Sequence, residues 1–205
     1  MKRPILMLLP SRGRPQALAE CIGEMTKHGS DLFDILVLQG AAEGVVSVFN
    51  SVPPELLRQY SIVGLLGDDC RIRTAGWDKL VDSYLARKPG VLYGRDGIQD
   101  EKLCTHPFIS TVIPLTLGHV FHPSFKSKCA DTALMGLARR ADCLQFTPGL
   151  FTEHLHWSTG KSVADQNTQR GEAFLDTDLA ALDNYERNIM PAEVEIVKHC
   201  LTHNK

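Results

Sequence analysis

Short apolar runs alternate with amphipathic stretches through the first half of this chain. Residues 5–9 read as a buried strand, and Pro15 then takes the first position of a helix whose apolar stripe is Leu18, Ile22 and Met25. Residues 33–38 predict a second strand, followed by a loop and short helix within 40–50, a break at Pro53-Pro54 and a further short helix over 54–60. Residues 62–66 predict a third strand. An amphipathic helix over 76–87 follows, with Trp77, Leu80, Val81, Tyr84 and Leu85 inward and Pro89-Gly90 as its stop; residues 91–93 form a short strand after it.

The second half is less regular. Residues 96–128 are rich in Pro, His, Gly and Thr, with apolar pieces within 108–117, and read mainly as loops. Asp131 reads as the N-cap of a helix that carries Ala133, Leu134, Leu137 and Ala138 on one face and Arg139 and Arg140 in its last turn. Strands are expected over 143–146 and 150–157, then helices over 164–172, 178–188 and 193–201. Alternation of this kind predicts a single α/β domain over residues 1–205, with a mostly parallel central sheet flanked by helices. Ligands in such folds bind outside the carboxyl ends of the strands.

Composition narrows the picture. The 205 residues are enough for one domain with a core of its own, and the net charge of -2 supplies no global field for nucleic acid or a membrane surface. Six scattered cysteines without a C-x-x-C pair read as reduced thiols. The basic start and apolar run at 1–9 are too short for a signal peptide and lead into Pro10-Ser11-Arg12-Gly13-Arg14-Pro15 without a cleavage site. No segment reaches the length of a membrane helix. The chain is therefore expected to be soluble and cytoplasmic, with no membrane partner.

Chemistry concentrates where the third strand stops, at Gly67-Asp68-Asp69. A core does not tolerate paired carboxylates without a cation, a basic partner or solvent, so a strand tip in a cleft is the expected place. Hard oxygen ligands there suit Mg²⁺ or Mn²⁺ holding a diphosphate; a solvated turn with an Asp cap is the plainer reading of the pair alone. His154 and His156 fall on one face of the late strand. His119 and His122 read as core or surface histidines, because Pro123 disfavours a helix there.

Five features in one order carry a resemblance: a strand ending in Pro-Ser-Arg-Gly-Arg-Pro, one ending in Gly-Asp-Asp, a Gly-Trp-Asp helix start, an Asp heading a helix, and Glu-His-Leu-His. The arrangement resembles the GT-A-fold glycosyltransferases over about residues 4–170, especially small family-2-like members of bacteria and phages. That resemblance implies a nucleotide-sugar-binding half over 1–95, an acceptor and metal half over 96–175, and C-terminal helices over 176–205. It implies that Pro10, Ser11, Arg12 and Arg14 line the nucleotide and diphosphate site, and Arg and Gly are apt groups for that task. Gly67-Asp68-Asp69 matches the family's acidic motif with Gly67 in place of a first acid. Asp69 would then ligate Mn²⁺ or Mg²⁺, Asp68 would hold the ribose or support the metal, and His154 or His156 would complete the metal's ligands.

By the same resemblance Asp131 would take the proton of the acceptor hydroxyl, which implies inversion. The family places two acids here, whereas this chain has Ala130-Asp131. Lys161 would reach the diphosphate, Trp157 could stack on the acceptor, and Trp77 is expected in the core. The implied activity is transfer of a sugar from a uridine or guanosine diphosphate donor to a hydroxyl of a saccharide, protein, lipid-linked sugar or hydroxylated base of phage DNA. A sugar-phosphate nucleotidyltransferase, echoed by the glycine-containing first loop, and a non-catalytic nucleotide-binding module are the alternatives.

Overall fold

A computed structural model describes residues 3–40 and 43–203; Met1, Lys2, Ala41, Ala42, Asn204 and Lys205 lie outside the described residues. The strands are β1 (Ile5–Ser11), β2 (Phe33–Gln39), β3 (Ile62–Leu65), β4 (Cys70–Ile72), β5 (Val91–Arg95), β6 (Phe108–Ser110) and β7 (Leu144–His154). The helices are α1 (Pro15–His28), α2 (Val45–Asn50), α3 (Pro54–Leu57), α4 (Trp77–Arg87), α5 (Val112–Leu117), α6 (Ala130–Arg140), α7 (Gln166–Glu172), α8 (Leu175–Asn184) and α9 (Met190–His203).

All seven strands join one sheet in the order β2-β1-β3-β6-β5-β7-β4. β1 runs parallel to β2 and β3, and β5 parallel to β7, while β3/β6, β5/β6 and β4/β7 are antiparallel. The sheet is mixed, which corrects the mostly parallel expectation. Helical crossovers return β2 and β3 parallel to β1, but residues 96–107 bring the chain from β5 to its neighbour β6 without one, so β6 enters reversed.

Three boundaries differ from the sequence reading. The two strands expected over 143–157 are one, β7, whose first residues pair with β5 and whose last pair with β4. β4 is unforeseen because three residues carrying Arg71 show no apolar run, yet Arg71 is 4% exposed. Finally, α6 starts at Ala130 behind Cys129, so Asp131 lies inside the first turn and is not the N-cap. The last helices form a nearly continuous run, with a π-helical turn at Tyr185–Ile189 between α8 and α9.

Alternation along β1 divides the core. Ile5, Met7 and Leu9 face the layer that holds α1 and α4, while Leu6 and Leu8 face the layer of α2, α6 and α9. Trp77 is fully buried in the first layer, against Phe33 and Phe108, and its Nε1 donates to the Met25 carbonyl at 3.1 Å. Asp78 beside it is fully buried too, accepting from the Ser30 and Leu32 amides at 2.7 and 3.0 Å. The Gly-Trp-Asp start of α4 is thus structural: it anchors a core and ties the loop between α1 and β2.

Candidate functional site

The carboxyl ends of β1 and β3 lie side by side, and the loops beyond them close one wall of a cleft. After β1, Gly13 adopts φ of +68°, turning the chain so that Arg14 precedes Pro15 at the start of α1. After β3, Gly67 leads into the acid pair. A Cβ at Gly67 would stand 2.5 Å from Asp69 Oδ1, so the glycine makes room for that carboxylate to fold back.

The two loops are bonded to each other. Ser11 Oγ donates to Asp68 Oδ2 at 2.8 Å and Arg14 Nη1 to Asp68 Oδ1 at 3.1 Å. Asp68 is 5% exposed, and burial raises its carboxyl above the ordinary range against the pull of Ser11 and Arg14. Asp69 behaves oppositely. Burial alone would raise it, but His154, His106 and Arg14 together hold it well below the ordinary range, so it stays anionic. Its Oδ2 lies 3.6 Å from His154 Nε2 and 3.8 Å from Arg14 Nη1.

Pro10, Ser11, Arg12, Arg14, Gly67, Asp68 and Asp69 line a chamber of about 210 Å³, which shares Arg14, Asp69, Ser127 and Asn167 with a second chamber of about 310 Å³. His154, His156, the 40%-exposed Trp157 and Lys128 line the second. Only His154 of the histidine pair approaches Asp69: β7 ends there, and His156 instead caps a 3₁₀ turn through Nδ1, 2.7 Å from Ser158 Oγ. Lys161 does not line the cleft; its Nζ donates to Glu153 Oε1 at 2.7 Å. Asp131 also lies off the two chamber walls, with Oδ1 accepting from the Thr132 amide at 2.8 Å and its carboxyl raised by burial.

Contributions from two segments were not legible in the sequence. Asp165, the N-cap of α7 with a full capping box, pairs with Arg14, and Asn167, Arg170, Gly171 and Phe174 roof the first chamber. Their helix was expected, but a polar helix carries no sign of which groove it covers. His106 lies beside Cys70 and His154 in the irregular segment before β6, where its sequence neighbours give no period.

No protein-family model and no curated protein matches the chain, but solved structures share its fold. S. aureus TarS aligns with a TM-score of 0.58 at 10% identity, over 98% of this chain and 43% of that one. Mannosyltransferase PcManGT from Pyrobaculum calidifontis, solved in complex with GDP-Man and Mn²⁺, aligns at 0.56 with 12% identity, over 97% and 74%. A197 from STIV aligns at 0.53 with 16% identity, over 73% and 84%. The likeness agrees with the expected GT-A-like architecture. Among the described residues, no helix is long and apolar enough to cross a membrane.

Proposed function

We propose that the protein is a metal-dependent glycosyltransferase that moves a sugar from a nucleoside-diphosphate sugar to an acceptor hydroxyl. The observation that carries this reading is the junction of Ser11 and Arg14 with Asp68 and Asp69 in one cleft, with His154 behind Asp69. A carboxylate held anionic beside an imidazole is a donor set that suits Mn²⁺ or Mg²⁺, and the fold is shared with a mannosyltransferase bound to GDP-Man and Mn²⁺.

Asp69 and His154 would hold the ion from the protein side. When bound, it supplies positive charge to the diphosphate, and the stabilisation of a leaving group's charge is worth several kcal/mol. Pro10, Ser11 and Arg12 bound the proposed donor chamber, Arg14 would offer guanidinium donors to phosphate oxygens, and Asp68 would accept from a ribose hydroxyl. The acceptor enters by the second chamber, along His156 and Trp157.

In the transfer step the acceptor oxygen bonds to the anomeric carbon, the carbon–oxygen bond to the diphosphate breaks, and the diphosphate leaves with the electron pair. Asp131 is the base we assign to the acceptor proton, giving inversion. Its support is a burial-raised carboxyl in the first turn of α6, three residues along the chain from Lys128 of the second chamber. The acceptor class is a saccharide or a hydroxylated base of phage DNA. A thermal-shift screen of uridine and guanosine diphosphates, with and without Mn²⁺, tests the reading: stabilisation by one nucleotide that depends on the ion supports it.

A further inference from the structure

A second ligand cluster stands directly behind the cleft. Cys70 on β4 sits opposite His154 on β7 in the antiparallel register, and His106 comes in from the segment before β6, its ring 5.0 Å from that of His154. One ligand atom from each of Cys70, His106 and His154 falls within 4.8 Å of the others. Cys70 Sγ lies 3.3 Å from His106 Nε2 and 3.5 Å from Asp69 Oδ1, and Asp69 Oδ2 lies 3.6 Å from His154 Nε2. The edges of a tetrahedron of sulfur, nitrogen and oxygen ligands around zinc are about 3.3–3.6 Å.

We propose that Cys70, His106 and His154 hold Zn²⁺, with the adjacent Asp69 supplying the fourth ligand of a tetrahedral site once its carboxylate turns a single oxygen onto the ion. The sulfur and two imidazoles are softer than the oxygen ligands that Mg²⁺ and Mn²⁺ favour, and four protein ligands leave no open position on the ion, as in structural zinc sites. On binding, the Cys70 thiol proton passes to solvent and the thiolate takes its place on the metal. The site stands on ligand geometry alone and does not rest on the transfer reaction. It shares Asp69 and His154 with the ion proposed for catalysis, so Zn²⁺ and Mn²⁺ exclude each other there.

Titration of the chelator-stripped protein with Co²⁺, a spectroscopic stand-in for zinc, tests this without nucleotide or turnover. The expected result is intense visible bands of tetrahedral cobalt with a near-ultraviolet sulfur-to-cobalt band. Both should be displaced by Zn²⁺ and the sulfur band should vanish in Cys70→Ser. A pale octahedral spectrum without the sulfur band, or a sulfur band that persists in Cys70→Ser, overturns the proposal. Zinc-edge absorption on the unaltered protein guards against misfolding of the variant: a sulfur neighbour at about 2.3 Å is expected, and a shell of nitrogen and oxygen only overturns the site. The His119, His122 and Glu193 group, the other such cluster among the described residues, contains no sulfur and cannot produce this signal. Failure of the sugar-transfer reading would leave the cobalt spectrum unchanged.

Discussion

Arg14 and Asp165, 151 residues apart, are joined by two parallel hydrogen bonds of 2.7 Å each, Nε to Oδ2 and Nη2 to Oδ1. The pairing raises the guanidinium pKa and depresses that of the carboxylate, and it fastens α7 over the chamber that Arg14 lines. By the proposed function, a diphosphate entering that chamber would compete with Asp165 for the same donors.

Asp165→Asn is therefore expected to tighten nucleoside-diphosphate binding, by about 5-fold if roughly 1 kcal/mol of competing ion pairing is removed. Asparagine is as good an N-cap as aspartate, so α7 persists. Isothermal titration measures the change; weaker binding would show that Asp165 supports the donor.

Gly67→Ala should leave the fold intact and weaken Mn²⁺, because the added methyl takes the space of the Asp69 carboxylate. A loss of about 10-fold or more in Mn²⁺ affinity, with an unchanged urea midpoint, is the expected pattern. Equal affinity would mean that Asp69 does not need this geometry.

Trp77→Ala removes a fully buried ring that packs on Phe33 and Phe108, and should cost about 3–5 kcal/mol of stability. Denaturant unfolding measures it. A cost well under that, coupled to lost donor binding, would move Trp77 from the core to the site.

Acid should destabilise the layer around α9. Glu193 is bonded by Tyr185 at 2.6 Å and lies 3.0 Å from His119 Nε2. Burial would raise its carboxyl, but His119 and Tyr185 hold it below the ordinary value. A folded-state pKa below the unfolded one stabilises above about pH 4.3, and that contribution is lost as pH falls through the folded value. Burial also lowers His122, so its preference for the neutral form is lost as pH falls below about 6.5. Thermal melts should show stability falling from about pH 7 to about pH 4, with a flatter slope in Glu193→Gln.

Much of this was legible in the chain. Strands with several apolar residues in a row, β1, β2 and β3, and helices with strong punctuation, α1 at Pro15 and α4 before Pro89-Gly90, lie close to where the pattern puts them. Strand direction was not, because the reversal at β6 depends on an aperiodic connection. The acid pair and the arginine loop meet as the strand order requires, both lying at the carboxyl ends of the adjacent β1 and β3. The partner of Lys161 was not legible, because a charged residue after a glycine has many to choose from; its Nζ donates to Glu153. Cys70 and His106 were silent because their proximity is created by the β4/β7 register and a loop, neither of which has a period.

The most direct measurement is release of nucleoside diphosphate from a panel of nucleotide sugars with Mn²⁺ present, in the unaltered protein and in Asp69→Ala. The account predicts slow hydrolysis of one donor that stops when the ion is chelated and is absent in Asp69→Ala. Turnover that proceeds unchanged in Asp69→Ala, or no release from any donor by a protein that nonetheless binds Mn²⁺, would contradict it.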